Sequence, residues 1–189
     1  MTDTLKKTGT EEKILDAALK VFARKGYDAA TTRAIAEESG FTEMTLFRKF
    51  QTKKNLFDQV MNRGNKQIEK DAAKLFIPQD DKNVREFVKS FVLSLDEFVL
   101  TNFEYFHLTI LEDNSKIKPN VRLTIDYISE YFKEHYPNKE LDYIAFGYSM
   151  STFIYSLNID RYYRRTATIE NYDELLDKFT DILCCMLEN

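Results

Sequence analysis

The chain of 189 residues has little of what several protein classes need. Five glycines and three prolines are too few for the many tight turns of a β-sandwich or barrel. The two cysteines, Cys184 and Cys185, are adjacent and cannot form a disulfide framework. No apolar run approaches the ~20 residues of a membrane span, and no apolar stretch follows Lys6 and Lys7 as it would in a secretory signal. We therefore expect a cytoplasmic protein with no membrane partner.

The charges of the chain are unevenly distributed. The whole sequence has a net charge of −4. Residues 1–65 contain 12 basic and 9 acidic side chains, a net of +3, and the remainder contains 15 basic and 22 acidic side chains, a net of −7. A basic front half joined to an acidic rear half indicates two functions in one chain, with the front half facing a polyanion. A solvated charged surface is the alternative explanation.

Apolar residues recur with the period of a helix along the whole chain. In the first helix, the stripe contains Ile14, Leu15, Ala18, Leu19 and Phe22. Thr10, Thr31, Thr42 and Thr52 are predicted to cap successive helices at their N-termini, as they would in any helical protein. Longer amphipathic segments follow at about 83–101, 103–112, 121–136, 138–160 and 171–187. The predicted fold class is all-α, with a small N-terminal bundle and a larger C-terminal helical bundle.

The segment from Thr31 to Phe50 has the pattern of a helix-turn-helix. Two helices of about eight residues flank the turn Ser39-Gly40-Phe41, and glycine suits a turn that penalises a Cβ atom. Leu46 and Phe50 lie four residues apart, which puts one face of the second helix on the core. The opposite face then carries outward-pointing side chains at Met44, Thr45 and Arg48, with Phe47 and Lys49 on the flanks. Such a helix fits a DNA major groove.

Catalytic and metal-binding patterns are missing from the sequence. His107 and His135 lie in different predicted helices with no ligand spacing around either one, so no metal site is expected. No glycine-rich phosphate loop or nucleophile elbow is present. We expect no enzyme activity and no cofactor.

The front of the chain resembles the DNA-binding domain of the tetracycline-repressor (TetR) family of transcriptional regulators. The resemblance is carried by "ILDAALKVFARKGYDAATTRAIAEESG", by "FTEMTLFRKF" and by "TKKNLF", and it covers Thr10 to Met61. It implies a three-helix DNA-binding domain at residues 10–56 after a flexible N-terminus at 1–9. A linking helix at about 52–76 would lead into an effector-binding and dimerisation domain at 57–189.

The resemblance implies DNA contacts for ten positions. Arg33 would read guanine, and Glu43 would accept from cytosine N4 or bond a neighbouring lysine. Lys49 and Lys53 would neutralise phosphates. Phe47 stands where the family usually has tyrosine, so a hydroxyl contact to phosphate is missing. The full predicted set is Thr31, Thr32, Arg33, Glu43, Met44, Thr45, Phe47, Arg48, Lys49 and Lys53.

The resemblance also implies an effector pocket and a dimer interface in the rear bundle, which contains 20 of the 26 phenylalanines and tyrosines. An aromatic wall with a few hydroxyls suits a hydrophobic effector. The predicted pocket residues are Tyr105, His107, Glu112, Tyr127, Tyr131, Tyr148 and Phe153. The predicted interface residues of a homodimer are Ile144, Gly147, Ser151, Tyr155, Leu175, Phe179, Ile182, Leu183 and Met186.

These features predict a repressor that leaves a palindromic operator when an effector binds. The effector would act by moving the helix that begins at Thr52. The rival interpretation is a helical small-molecule-binding protein or enzyme whose N-terminal bundle is only structural.

Overall fold

The computed structural model describes residues 9–75, 83–112, 119–137, 140–163 and 171–188. Within these ranges the chain forms nine helices and no strand, which confirms the predicted all-α class. The helices are α1 (Thr10–Ala29), α2 (Thr32–Ser39), α3 (Glu43–Phe50), α4 (Lys53–Leu75), α5 (Val84–Thr101), α6 (Phe103–Leu111), α7 (Pro119–His135), α8 (Tyr143–Tyr163) and α9 (Tyr172–Glu188). The predicted flexible segment lies outside the described residues except for Gly9.

Threonine caps define the starts of three of the front helices. Thr31 accepts a hydrogen bond from the Ala34 amide, and Thr42 accepts one from the Thr45 amide. Thr52 accepts in the same way from the amide of Asn55. These three predicted caps are confirmed. The predicted cap at Thr10 is wrong, because Gly9 is the N-cap of α1 and its amide donates to the carboxylate of Glu12.

The chain divides into two compact units, and the first contains Met1–Lys66 together with Glu104–Ile117. Its core is built from one apolar face of each front helix, because burying that face is what stabilises short helices. Phe22 packs edge-on against Phe57 with ring centroids 5.1 Å apart. The fully buried aliphatic members of this core include Ile14 and Ile35.

The first unit also contains most of α6, which the sequence-based boundary at residue 56 does not anticipate. The ring of Tyr105 packs directly onto Gly64 of α4, where a Cβ atom would collide with it. The Nε of Arg63 donates to the hydroxyl of Tyr105, and its Nη2 lies 2.6 Å from the carboxylate of Asp16 on α1. Helix α6 is therefore packed on α4 within this unit.

The second unit contains Gln67–Phe103 and Lys118–Asn189. In it, α5 packs on α8 and α9, and α7 packs on α8. Aromatic rings fill its core, with Phe132 fully buried between Phe91 and Phe146 at centroid distances of 5.0 Å. Arg161 of α8 donates at 2.6 Å to Asp96 of α5, which pairs a buried carboxylate with a cation.

No helix among the described residues is long and apolar enough to cross a membrane.

Candidate nucleic-acid interface

Helix α3 is held to the first unit by one face and exposes the other. Leu46 and Phe50 are each only 2% exposed, as their spacing predicts. On the opposite face, Met44 is 81% exposed and Phe47 is 69% exposed. Large apolar side chains at such exposure do not stabilise the unit by burial, so they point to a partner surface.

The turn before α3 depends on one glycine. Gly40 has φ +73° and ψ +16°, a left-handed conformation that a side chain would penalise. The amide of Phe41 returns a hydrogen bond of 3.1 Å to the carbonyl of Ala36, which closes the C-terminus of α2. This closure sets the angle between α2 and α3.

Four of the predicted DNA-contacting side chains take part in weak surface pairs. Arg33 lies 3.0 Å from Glu37, with four-fifths of its side chain exposed. Lys49 lies 3.7 Å from Glu11. Glu43 accepts a 2.6 Å hydrogen bond from the hydroxyl of Thr32, rather than pairing with a lysine. Exposed pairs of this kind are worth about 0–1 kcal/mol, so a phosphate or base edge can displace them.

The remaining polar residues of this face remain accessible. Arg48 is exposed and has no ion pair within the described part of the chain. The hydroxyls of Thr42 and Thr45 lie 3.0 Å apart. Thr31 uses its hydroxyl as an acceptor in its cap, which leaves the hydroxyl proton available to a phosphate.

Lys53 differs from its predicted role as a phosphate ligand. Its side chain is half-buried, and its ammonium donates to the backbone carbonyls of Tyr27, Asp28 and Ala30. An ammonium has three donors, and all three are directed into the protein. No local sequence pattern around Lys53 predicts this arrangement, because the three carbonyls lie more than twenty residues away along the chain.

The predicted effector-pocket residues are divided between the two compact units. Tyr105, His107 and Glu112 belong to the first unit. Glu112 accepts a hydrogen bond from the Tyr27 amide, and burial lowers the pKa of His107. In the second unit, Tyr131 stacks on His135 at 4.2 Å, and Tyr148 is 59% exposed.

One predicted pocket residue, Tyr127, does line a groove of the second unit. This groove has a volume of about 420 Å³ and lies between α4 and α7. Ile68, Ala72 and Leu123 line it beside Tyr127, and the sequence analysis missed all three. Leu123 is 48% exposed, and small side chains at Ala72 and Ala73 leave space in front of it.

The predicted dimer residues separate into exposed and internal groups. We call four exposed apolar residues of α8 and α9, namely Ile144, Tyr148, Ile182 and Met186, the α8–α9 patch. Leu183 is fully buried, and Leu175, Ser151 and Tyr155 are half-buried. Phe153 and Phe179 stack on each other at 3.8 Å. Burial raises the pKa of Tyr155 to about 12.

The predicted role of Gly147 in dimer contact is wrong. A Cβ atom at this position would lie 2.5 Å from the hydroxyl oxygen of Ser129 and 3.0 Å from the carbonyl oxygen of Ile125. The glycine therefore permits the close approach of α7 to α8 within one chain.

Metal-binding side chains do not converge among the described residues. No group of three or more His, Cys, Asp or Glu side chains there could hold a metal ion. Cys184 is buried, which raises the pKa of its thiol and makes the reactive thiolate scarce.

Sequence comparison identifies the front of the chain. Residues 14–60 match the family model described as bacterial regulatory proteins, tetR family. The chain is 41% identical over 61 residues to YvkB, an uncharacterized HTH-type transcriptional regulator of Bacillus subtilis (strain 168), with 30% of this chain and 32% of the relative aligned. The match thus spans about a third of that relative's length.

Structural comparison extends the similarity over nearly the whole chain. A TetR-like transcriptional regulator from Rhodococcus sp. RHA1 superposes with a TM-score of 0.65 at 18% identity, covering 95% of this chain and 93% of that one. The fatty acid degradation regulator FadR from Bacillus halodurans superposes with a TM-score of 0.59 at 16% identity, covering 96% of each chain. At these identities the likeness establishes the fold. Residues 14–60 thus match the tetR family of bacterial regulatory proteins, and the nine helices of the described ranges share the fold of a TetR-like transcriptional regulator.

Proposed function

We propose that the protein is a homodimeric transcriptional repressor that binds a palindromic DNA operator and is released from it by a small hydrophobic effector. The observation that carries the proposal is the two-sided character of α3. Leu46 and Phe50 anchor one face, and Met44, Phe47 and Arg48 are exposed on the other.

The exposed face of α3 has chemistry that suits DNA. Met44 offers an apolar contact to a thymine methyl group, and Arg48 offers a cation to a phosphate. Arg33, near the start of α2, has a planar fork that matches guanine O6 and N7. Glu37 occupies that fork in the free protein, at 3.0 Å. Contact with DNA would exchange one exposed pair for another.

The α8–α9 patch supports a homodimer. Ile144, Tyr148 and Ile182 are each more than half exposed, and large apolar side chains at such exposure point to a partner surface. A two-fold axis through this patch would cover the same residues on both copies. A dimer also has a functional reason, since two recognition helices contact half-sites about one helical turn (~34–36 Å) apart.

The groove between α4 and α7 supports a hydrophobic effector. Its walls are apolar at Ile68, Ala72 and Leu123, and its volume of about 420 Å³ is large enough for a small organic molecule. The structural likeness to FadR, named as a fatty acid degradation regulator, makes a long-chain fatty acid the first molecule to test.

Helix α4 offers a route between effector and DNA. Its residues Lys53–Lys66 belong to the first unit, and Gln67–Leu75 belong to the second. Ile68 and Ala72 of the groove therefore lie on the same helix as the residues that follow the helix-turn-helix. An effector would act only if it bound the DNA-free and DNA-bound states with different affinity.

Selection from a random double-stranded DNA library tests the DNA-binding part. We expect the protein to enrich an inverted repeat, and its affinity for the recovered duplex to fall steeply with salt. Met44→Glu should abolish this binding, because it puts a carboxylate on the exposed face of α3 without touching the core. Leu93→Glu is the control, since Leu93 is 47% exposed on α5.

Two outcomes would contradict the DNA-binding part. Either no sequence is enriched, or Met44→Glu and Leu93→Glu bind the recovered duplex equally well. The first result would favour the rival interpretation, in which the N-terminal bundle is only structural.

Release by an effector is tested on the same duplex. We expect palmitate to dissociate the complex and butyrate, which has the same charge and a short chain, to leave it intact. Ala72→Trp should fill the groove and reduce the effect of palmitate while leaving DNA binding unchanged. Equal effects of palmitate on the wild type and on Ala72→Trp would exclude this groove.

A further inference from the structure

Two charged side chains hold the backbone that leads from α1 into the helix-turn-helix. From their geometry we infer that Lys53 and Glu112 are positioning residues, which clamp the segment from Gly26 to Ala30 and thereby orient α2 and α3 for DNA. The inference rests on the proposed DNA-binding function. It gives Lys53 a role inside the protein, where the family resemblance implied a contact with phosphate.

Lys53 closes the clamp on the carbonyl side. Its Nζ lies 2.8 Å from the carbonyl oxygen of Tyr27, 3.3 Å from that of Asp28 and 2.9 Å from that of Ala30. It also lies 4.4 Å from the centre of the Tyr27 ring, in cation–π contact. Moving this ammonium onto a phosphate would leave three carbonyls to find other donors.

The backbone needs such a partner because α1 is broken near its end. Gly26 has φ +75° and ψ +168°, which is not helical. Carbonyls at the C-terminus of a helix have no intrahelical partner and carry a partial negative charge. A cation that donates hydrogen bonds to three such carbonyls satisfies both requirements.

Glu112 closes the clamp on the amide side. Its Oε1 accepts a hydrogen bond of 2.5 Å from the Tyr27 amide, and the same oxygen lies 3.3 Å from the position of a Cβ atom at Gly26. Tyr27 is thus held through its amide by an anion following α6 and through its carbonyl by a cation at the start of α4. Both charged side chains act on the backbone of one residue.

The clamp lies immediately before the DNA-binding elements. Ala30, whose carbonyl accepts from Lys53, precedes Thr31, the N-cap of α2. Any loosening of this segment changes the direction in which α2 begins. Loss of the clamp should therefore weaken DNA binding by misorienting the interface, with no loss of a phosphate contact.

The salt dependence of DNA binding distinguishes the two roles of Lys53. Loss of a phosphate contact lowers the slope of log K against log salt concentration by about one, whereas loss of a positioning residue leaves the slope unchanged. The probe is the duplex recovered by the wild-type protein. We expect Lys53→Met to bind it about tenfold more weakly or worse, with the wild-type slope.

Two neighbouring lysines provide matched controls for this measurement. Lys49→Met removes a predicted phosphate ligand and should lower the slope by about one. Lys54→Met removes the next charge along the chain, which is exposed and takes no part in the clamp. A slope lowered by about one in Lys53→Met, or an unchanged affinity, would overturn the inference.

Hydrogen exchange at the Tyr27 amide tests Glu112 and does not require DNA. Glu112→Gln keeps an acceptor oxygen and should preserve slow exchange, whereas Glu112→Ala should make exchange at this amide faster by about tenfold or more. DNA affinity should follow the same order. Equal exchange rates at Tyr27 in the two variants would overturn the clamp even if the protein bound no DNA, so failure of the clamp and failure of the proposed function remain distinguishable.

The wild-type protein supplies a further test if Lys53→Met does not fold. NMR should show a slowly exchanging ammonium signal for Lys53 in the free protein. An unchanged chemical shift of this signal when the duplex is added supports the clamp. A chemical shift of the Lys53 ammonium that changes on adding DNA to a value typical of a phosphate-bound lysine contradicts the clamp.

Discussion

The guanidinium of Arg33 lies 3.0 Å from the carboxylate of Glu37, one turn further along α2, and both side chains are largely exposed. The pair is local to one helix, and it occupies the side chain that the family resemblance implies for base recognition. If Arg33 contacts DNA as proposed, this acidic neighbour competes for it.

Substitution of either partner should change DNA binding in opposite directions. Arg33→Ala should lose about 1–3 kcal/mol of discrimination at one base pair, because a bidentate contact to guanine is worth that much. Glu37→Gln should release Arg33 and strengthen binding at most a few-fold, since an exposed pair is weak. Titration of both variants against the operator and its single-base variants is the measurement. Undiminished base discrimination in Arg33→Ala would remove Arg33 from the interface.

The α8–α9 patch should determine the oligomeric state. Ile182 is 58% exposed, so Ile182→Glu should leave the monomer folded. In a dimer interface the new carboxylate would be buried at a cost of several kcal/mol. Sedimentation equilibrium should then detect monomers. Leu93→Glu, at a position that is 47% exposed on α5, should remain dimeric, and a dimeric Ile182→Glu would place the interface elsewhere.

Glycine at the junction between α3 and α4 should make the protein more stable. Gln51 has φ +63° and ψ −44°, and the amide of Thr52 donates to the carbonyl of Phe50 at 2.7 Å, a strained γ-turn. We expect Gln51→Gly to raise the free energy of unfolding by about 1 kcal/mol, because glycine removes the strain of a Cβ atom at positive φ. Thermal melting measures the change.

The same substitution elsewhere gives the control. Gln59→Gly lies inside α4, where glycine costs about 1 kcal/mol in place of a helix-forming side chain. A lower melting temperature for Gln51→Gly would show that this turn is not strained in solution.

His107 should make the protein less stable in mild acid. Burial lowers its pKa in the folded state below the ordinary value of 6.5. The unfolded chain therefore binds a proton more readily, and stability is lost as pH falls through 6.5 towards the folded-state pKa. The measurement is the melting temperature above pH 6.5 and below the folded-state pKa of His107. The drop in melting temperature between these two pH values should be larger in the wild type than in His107→Gln. His135→Gln, at an exposed position, should behave like the wild type, and an unaltered pH dependence in His107→Gln would contradict the argument.

Local sequence patterns were sufficient to predict the helices and the buried face of α3. The spacing of Leu46 and Phe50 dictated which side of α3 is buried, because side chains four residues apart share a helix face. Thr31, Thr42 and Thr52 capped the helices that they were predicted to cap. The caps and the periodicity act over a single turn, so no distant contact was needed to predict them.

The roles of Lys53, Glu112 and Gly147 were decided by partners far away in the chain. Lys53 was predicted on a DNA-facing flank, and its ammonium instead meets carbonyls of Tyr27 to Ala30. Glu112 was assigned to an effector pocket, yet it binds the Tyr27 amide, 85 residues away. Gly147 was assigned to a dimer contact, and its missing Cβ makes room for Ser129.

The amino-acid sequence alone determined that this protein is helical and that its front carries a helix-turn-helix with Met44 and Arg48 on the outer face and Phe47 on its flank. Only the tertiary structure decided that α6 packs with the first unit, that Lys53 serves the backbone, and that the exposed apolar surface of α8 and α9 is confined to a few residues. The physical reason is the distance along the sequence between the residues that interact. Caps and helical faces depend on neighbours within four residues, whereas the partner of a long charged side chain, or the space beside a glycine, depends on which helices pack together.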